Sequence, residues 1–142
     1  MTVVLTYGTF DLLHVGHVNL LRRARAMGER LVVGLSTDAF NALKQKRATQ
    51  DFAAREAVLR AIRYVDDVFP EDCWQQKAGD IRRLGAGVLV MGSDWEGRFD
   101  HLGAWCQVRY LPRTAHVSTT SLKEQIRRAA PAVAAGPGVA CR

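Results

Sequence analysis

Short apolar segments alternate with segments of helical periodicity along nearly the whole chain. The apolar segments predict strands at residues 3–7, 31–35, 67–69, 88–91 and 108–111. Between them, the 3.6-residue spacing of apolar side chains predicts helices at 18–27, 53–62 and 74–84, with a last helix from an N-cap at Ser118 to about residue 128. This alternation predicts an α/β domain in which a mostly parallel five-stranded sheet carries helices on both faces.

The length of the chain suits one domain with one hydrophobic core. At 142 residues it is close to the commonest domain size, so we expect no second catalytic unit. We predict the folded domain at residues 1–128 and a mobile C-terminal tail at 129–142, because the tail is rich in Ala, Gly and Pro. In a parallel α/β sheet, ligands bind beyond the carboxyl ends of the strands, so the segments that follow strands are the candidate sites.

The net charge favours an anionic ligand. Twenty Lys and Arg residues stand against fourteen Asp and Glu residues, a formal net charge of +6. Nucleic acids and phosphorylated small molecules both suit such an excess. The basic residues are interspersed with acidic ones, and the sequence has no zinc-finger, RNP or homeodomain signature, so we predict no nucleic-acid partner.

The apolar segments are too short for insertion into a membrane. None approaches the ~20 residues that cross a bilayer, and residues 2–5 are too short for the core of a signal peptide, so we expect a cytoplasmic protein. Cys73, Cys106 and Cys141 are widely spaced and match no metal-ligand pattern. In a reducing cytosol they are most simply free thiols.

A first motif, residues 8–17 (GTFDLLHVGH), joins the first predicted strand to the first predicted helix. His14 and His17 project to the same side of the helix start, and Gly16 between them allows the close approach of a ligand. With the N-terminal amides of the helix, the two imidazoles could hold phosphate oxygens. The alternatives are a metal pair or two structural histidines, although zinc would require further ligands that the sequence does not supply nearby.

A second motif, residues 113–120 (RTAHVSTT), joins the last predicted strand to the last helix. The Arg113 guanidinium, the hydroxyl groups and the helix N-terminus together predict another anion site. The alternative is that Ser118 and Thr119 only cap the helix and that Arg113 is solvated. A third segment, the predicted loop 36–46, carries Lys44 and Lys46, which suit contacts with a triphosphate, although lysines on polar loops are commonly only solvated.

The first and second motifs resemble the paired signatures of the cytidylyltransferase-type nucleotidyltransferases, a superfamily with a Rossmann-like, doubly wound fold. Internal segments narrow the resemblance to the bacterial glycerol-3-phosphate cytidylyltransferases. These segments are residues 44–46 (KQK), 62–66 (IRYVD), 91–97 (MGSDWEG), 110–114 (YLPRT) and 118–120 (STT). The resemblance covers about residues 3–126.

This resemblance implies that CTP and glycerol 3-phosphate react to CDP-glycerol and diphosphate, by in-line attack of the acceptor phosphate on the CTP α-phosphorus. It also implies a homodimer, a role in teichoic acid biosynthesis, and Mg²⁺ carried mainly by the CTP phosphates rather than by a protein metal site. Two alternatives stay open. One is a related nucleotidyltransferase that uses another phosphorylated acceptor or ATP, similar to FAD synthase, and the other is a CTP-binding module without catalysis.

The resemblance also implies residue roles by position. The implied catalytic residues are His14, His17 and Arg113. The implied CTP-binding residues are Thr9, Phe10, His14, Val15, Gly16, His17, Lys46, Arg63, Asp94, Trp95, Arg113, Thr114, Ala115, His116, Val117, Ser118, Thr119 and Thr120. The implied acceptor-binding residues are Lys44, Arg55 and Lys77. Arg55 and Arg63, both on the second predicted helix, would add positive charge over the phosphates. Asp11 is either a carboxylate near the metal or a pin for its loop, and Val15 replaces a Trp that is frequent in the family.

Overall fold

A parallel sheet runs through the centre of the protein, whose computed structural model describes residues 1–130. The strands are β1 (Val3–Gly8), β2 (Arg30–Ser36), β3 (Asp67–Glu71), β4 (Ala86–Gly92) and β5 (Gln107–Leu111). They lie in the order β3-β2-β1-β4-β5, and every neighbouring pair is parallel. The predicted α/β class with a five-stranded sheet is therefore confirmed.

Helices connect the strands in the predicted alternation. They are α1 (Val15–Arg25), α2 (Asp38–Leu43), α3 (Phe52–Arg60), α4 (Lys77–Leu84) and α5 (Thr119–Ala129), with 3₁₀ turns at Trp74–Gln76, Ser93–Trp95 and Asp100–Ala104. Most of the predicted tail 129–142 lies outside the described residues, which end just after α5. No helix within residues 1–130 is long and apolar enough to span a bilayer.

Two local predictions were wrong. The segment 36–46, predicted as a loop, contains α2, which begins where the Thr37 hydroxyl accepts a hydrogen bond from the backbone N–H of Phe40 at 3.1 Å. This helix is too short to show a helical period in the sequence. In addition, the strand predicted at 67–69 does not stop before Pro70, because β3 continues through this proline to Glu71. A proline is tolerated there because β3 is an edge strand that pairs only with β2.

The sheet has a hydrophobic core on each face. On one face Val4 packs with Leu21 of α1 and Leu59 of α3, and on the other Leu5 packs with Ile81 of α4. Successive residues of β1 thus serve opposite faces, as the pleat of a strand requires. Burying each such side chain contributes about 1.5–3 kcal/mol.

The chain adds strands first on one side of β1 and then on the other. After β1 the chain builds outward through β2 and β3, then crosses back to place β4 on the other side of β1. Such a switch point leaves a crevice beyond the carboxyl ends of β1 and β4. The first motif follows β1 directly, and the second motif follows β5.

Candidate active site

The two histidines of the first motif are held by the start of α1. The Nδ1 atom of His14 accepts hydrogen bonds from the backbone N–H groups of Gly16 at 3.0 Å and His17 at 3.4 Å. The Nδ1 atom of His17 accepts one from the backbone N–H of His14 at 3.2 Å. A nitrogen that accepts a hydrogen bond carries no proton, so each neutral ring carries its proton on Nε2. Each imidazole can therefore donate a hydrogen bond from Nε2.

Burial and neighbouring positive charge lower the pKa of both rings and keep them neutral. Their centroids lie 3.8 Å apart and the planes are inclined by 23°. Burial first, and then the adjacent His14, lower the pKa of His17 to about 4. Burial and the positive charge of Arg113 lower the pKa of His14 as well. Near neutral pH, both histidines can thus act as uncharged hydrogen-bond donors.

Gly16 is required by the packing of this pair. A Cβ atom at this position would lie 2.8 Å from Cε1 of His14 and 3.1 Å from Cγ1 of Val117. Any larger residue would displace the His14 ring or push the second motif away. The glycine therefore lets the two motifs approach each other.

The second motif lies against the first. The Thr119 hydroxyl donates a hydrogen bond to the backbone carbonyl of Asp11 at 2.9 Å, and the Asn19 amide on α1 donates one to the Thr114 hydroxyl at 3.0 Å. Ser118 does cap α5, since its hydroxyl accepts from the backbone N–H of Ser121 at 3.0 Å. The capping alternative thus holds for Ser118, whereas Thr119 connects the two motifs.

Arg113 extends from this second motif towards another predicted residue. Its guanidinium forms an ion pair of 2.5 Å with the carboxylate of Asp94, which follows β4. Both side chains are exposed, so the pair itself adds little to stability. The ion pair instead positions the Arg113 side chain near His14, whose pKa is lowered by the guanidinium charge.

Strained backbone is concentrated in the three predicted segments. Within residues 1–130, the non-glycine residues with positive φ are Phe10 at 50°, Leu12 at 49°, Gln45 at 58° and His116 at 65°. Such conformations are unfavourable for residues with a Cβ atom and persist only where the surrounding structure enforces them. All four lie in the first motif, the second motif or the lysine segment, as is typical of ligand-binding loops.

Asp11 pins its loop. Its carboxylate accepts hydrogen bonds from the backbone N–H groups of Thr49 at 2.8 Å and Gln50 at 3.1 Å, and Lys123 lies 3.4 Å away. Burial opposes ionisation, but these donors outweigh it and hold the pKa of Asp11 below its ordinary value. The carboxylate therefore engages protein groups and pins its loop, which is one of the two roles considered for it.

A cavity of about 420 Å³ lies beyond the carboxyl ends of β1, β2 and β4. Its wall includes His17, Trp95 and Thr119. Within residues 1–130, the wall carries five cationic side chains against the two carboxylates of Asp11 and Glu71. These cations are Lys44, Lys46, Arg47, Lys77 and Lys123. The cavity is thus suited to a polyanion.

A second cavity of about 250 Å³ adjoins the first. Its wall is partly polar and partly apolar, with contributions from His14, Arg113, Leu20 and Leu111. His17, Thr119 and Thr120 line both cavities and mark where they meet. The histidine pair therefore lies between a cationic cavity and a smaller mixed one.

Six of the predicted residues line neither cavity. They are Val15, Arg55, Arg63, Asp94, Ala115 and His116. Arg55 is only 1% exposed, and its guanidinium donates hydrogen bonds to the carbonyls of Thr9, Ser36 and Gln50 and to the Asp38 carboxylate. It therefore ties these loops together. Arg63 lies beyond the end of α3 and packs on the Tyr64 ring.

The sequence reasoning missed several residues of the cavity wall, notably Glu71, Trp74 and Lys123. Glu71 ends β3, and its position at the carboxyl end of a strand was a usable signal once the strand is extended through Pro70. No such signal in the sequence pointed to Asn41. It is buried, and its side-chain oxygen accepts the Thr9 hydroxyl hydrogen bond at 2.9 Å, which orients a residue of the first motif.

Comparison with solved structures supports the fold. A lipopolysaccharide core biosynthesis protein from Thermoplasma volcanium GSS1 matches with a TM-score of 0.68, covering 80% of this chain and 98% of that one. Only 20% of the aligned residues are identical, so this similarity concerns the architecture alone.

Sequence comparison is more specific. The chain is 55% identical over 126 residues to the glycerol-3-phosphate cytidylyltransferase of Bacillus subtilis (strain 168), covering 89% of this chain and 98% of the relative. It is 52% identical to the enzyme of the same name from Staphylococcus aureus (strain NCTC 8325 / PS 47), covering 89% and 96%. The family model described as cytidylyltransferase-like matches residues 5–125. The resemblance seen in the sequence is therefore confirmed, and the chain belongs to the cytidylyltransferase-like family of nucleotidyltransferases.

Proposed function

We propose that this protein is a glycerol-3-phosphate cytidylyltransferase, which converts CTP and glycerol 3-phosphate to CDP-glycerol and diphosphate. The names of its relatives support the substrates. The observation that carries the proposal is the meeting of two cavities at His17, Thr119 and Thr120. A reaction between two phosphorylated molecules needs two binding regions that share one set of phosphate-binding groups.

In this proposal the nucleoside part of CTP occupies the second cavity and its phosphates extend past the histidine pair into the first. The backbone and hydroxyl groups of the first and second motifs would hold the nucleotide, together with Lys46 on the far side. Arg113 lines the second cavity, close enough to His14 to influence its pKa. The acceptor would enter the first cavity beside Lys44 and Lys77.

The proposed reaction needs no general base. An oxygen of the acceptor phosphate, already anionic, forms a bond to the α-phosphorus of CTP while the bond from that phosphorus to the bridging oxygen breaks. Diphosphate leaves with the electron pair. The barrier comes from bringing two polyanions together and from charge on the α-phosphate oxygens, so positioning and electrostatic stabilisation provide the catalysis.

The neutral histidines fit this chemistry. An Nε2–H group aimed at a phosphate oxygen stabilises growing negative charge without losing a proton. A preorganised donor of this kind is worth about 2.7–4 kcal/mol in the transition state. His14, His17 and Arg113 are therefore the residues to which we assign catalysis.

Mg²⁺ would enter as part of the CTP complex, held by phosphate oxygens and water, and would offset the charge of the triphosphate. Among residues 1–130, no group of three or more His, Cys, Asp and Glu side chains is placed to hold a metal ion. The carboxylates of Asp11, Glu71 and Asp94 are each paired with a cationic side chain of the protein. No step of the reaction as we describe it depends on a protein metal site.

We further propose a cytoplasmic homodimer whose CDP-glycerol serves teichoic acid biosynthesis. This part rests on the family resemblance. Light scattering of the purified protein at several concentrations would give its oligomeric state directly, and a concentration-independent monomer mass would contradict the dimer.

Diphosphate release tests the activity. The protein is incubated with each of CTP, ATP, GTP and UTP, with and without glycerol 3-phosphate. We expect release only with CTP and the acceptor together, and CDP-glycerol as the product by mass spectrometry. Faster release with ATP, or with a different phosphorylated acceptor, would assign a related nucleotidyltransferase. CTP binding without any release would indicate a non-catalytic binding module.

A further inference from the structure

A buried polar network closes the end of the first cavity beneath the proposed acceptor position. Ser36 at the end of β2, Glu71 at the end of β3 and Lys77 at the start of α4 are 0%, 2% and 2% exposed. All three line the cavity, as does Lys44. Buried charges at a cavity wall need specific partners, and here those partners are within the network.

The hydrogen bonds in this network converge on the carboxylate of Glu71. The Lys77 ammonium donates to Oε2 of Glu71 at 2.6 Å. The Ser36 hydroxyl donates to Oε1 of the same carboxylate at 3.0 Å and accepts from the Lys44 ammonium at 3.2 Å. Each oxygen of Glu71 therefore holds one lysine, Lys77 directly and Lys44 through Ser36.

Aromatic rings lie close to both ammonium groups. Nζ of Lys77 lies 4.6 Å from the ring centroid of Tyr7 and 5.0 Å from those of Trp74 and Phe99. Nζ of Lys44 lies 4.3 Å from the centroid of Phe40. The rings exclude water and attract cations, so two positive charges share one carboxylate in a poorly hydrated place. One positive charge is left for an anion in the cavity.

We propose that Glu71 is the positioning residue of the acceptor site, fixing the ammonium groups of Lys44 and Lys77 in the geometry that binds a phosphate monoester. This inference rests on the proposed function, because it takes the acceptor to be phosphorylated. Glu71 does not contact the acceptor itself. A carboxylate beside a phosphate would repel it, but this one is occupied by its two donors.

The pKa of Lys44 provides a readout that would not change if the role of Glu71 were purely structural. Burial lowers the pKa of Lys44 to about 8, the negative charge of Glu71 opposes this decrease, and Lys46, Lys77 and Arg55 add to it. In the wild type, acceptor affinity should therefore weaken as the pH rises through about 8 and Lys44 loses its proton. Removing the charge of Glu71 should move this weakening to lower pH.

The test is to measure KM for glycerol 3-phosphate, KM for CTP and kcat across pH for the wild type, Glu71→Gln, Glu71→Asp and Asp72→Asn. Glu71→Gln preserves shape but cannot accept both hydrogen bonds. We expect its acceptor KM to rise by about 10- to 100-fold, since small misplacements of binding groups have effects of this size. The weakening of acceptor affinity at alkaline pH, which we call the pH limb, should begin at a lower pH than in the wild type. KM for CTP should stay within about threefold of the wild-type value.

The other variants separate charge from position. Glu71→Asp retains the charge and should restore the wild-type pH limb while leaving the acceptor KM raised. Asp72→Asn removes one negative charge from the adjacent exposed residue and should change neither quantity. Because Glu71→Gln leaves Lys77 buried without its partner and could fail to fold, Ser36→Ala serves as a second variant. It removes the hydrogen bond to Oε1 of Glu71 and the one from Lys44, but leaves the pair of Lys77 and Glu71 in place. This variant should raise the acceptor KM with CTP affinity unchanged.

The outcomes distinguish this inference from the proposed function. A wild type that releases no diphosphate with CTP and glycerol 3-phosphate would overturn both. An active wild type would overturn the inference alone if Ser36→Ala and any folded Glu71→Gln protein kept the acceptor KM within about twofold. Equal losses for CTP and acceptor, or an unmoved pH limb in Glu71→Gln, would also overturn it.

Discussion

The hydroxyl of Thr119 donates a hydrogen bond to the backbone carbonyl of Asp11 over 2.9 Å, although the two residues lie 108 positions apart in the chain. Asp11 in turn holds the segment around Thr49 and Gln50 through its carboxylate. One chain of contacts thus joins the first motif, the second motif and the segment after the lysines. Loss of one link should therefore affect the site more than the fold.

Thr119→Val tests this link, because the substitution removes the hydroxyl and keeps the shape. Loss of one such hydrogen bond should lower the free energy of unfolding by only about 1 kcal/mol. We expect a larger effect on catalysis, a fall in kcat/KM for CTP of about tenfold or more, since the two motifs would no longer be held together. Urea unfolding and steady-state kinetics measure the two quantities. A fall in stability without a fall in kcat/KM would show that the link only supports the fold.

His17→Ala should slow turnover far more than it weakens CTP binding. The Nε2–H donor matters most when charge develops on the phosphate, so kcat should fall by about 10²–10³-fold. CTP affinity, measured by calorimetry, should change by no more than a few-fold. A variant with nearly normal kcat would show that the stacked pair only caps α1.

Arg113→Ala and Lys77→Ala should separate the two substrates. Arg113 lines the second cavity and Lys77 lines the first. Arg113→Ala should therefore weaken CTP binding and slow turnover at saturating acceptor. Lys77→Ala should instead raise KM for glycerol 3-phosphate. Arg109→Ala, at an exposed position of β5, is the charge-matched control. Equal losses for both ligands in Lys77→Ala would mean that Lys77 serves the general field of the cleft or the fold.

Arg55→Ala should destabilise the protein instead of selectively weakening the acceptor. Its buried guanidinium holds three backbone carbonyls and Asp38, and removing a buried charged partner commonly costs about 3 kcal/mol or more. Arg63→Ala, at an exposed position, is the control and should change the free energy of unfolding by about 0.5 kcal/mol or less. A stable Arg55→Ala variant with a raised KM for the acceptor alone would restore the role that the sequence predicted.

The depressed pKa of His17 predicts a pH dependence of stability. Its pKa is about 4 in the folded protein against an ordinary value of 6.5, so between these values the unfolded chain binds a proton that the folded protein does not. The contribution to stability is complete above pH 6.5 and is lost as the pH falls towards 4. His17→Asn should reduce this decline in the free energy of unfolding, measured with urea between about pH 7 and about pH 4.5. The lowered pKa values of His14 and Asp11 contribute to the decline that remains. Parallel declines in both proteins would show that His17 titrates normally.

The local sequence determined the elements and the motifs. Short apolar runs, helical periods and the Ser118 cap predicted the alternating strands and helices, because periodicity and capping involve residues that are close together in the sequence. The same local pattern placed His14, the N-cap residue, and His17 together at the start of α1. It could not reveal α2, whose single cap at Thr37 leaves no periodic signal.

Only the tertiary structure decided which of these charged groups line a cavity. Arg55 and Lys77 look alike in the sequence as basic residues on predicted helices, and both are buried. The loops around Arg55 supply carbonyls that engage its guanidinium, whereas the ends of β2 and β3 place Glu71 and Ser36 so that Lys77 and Lys44 form the wall of a cavity. These partners come from strands that are adjacent in the sheet and distant in the chain. The hydrogen-bonding capacity of a side chain is a property of its type, but the atoms that use this capacity are determined by the fold.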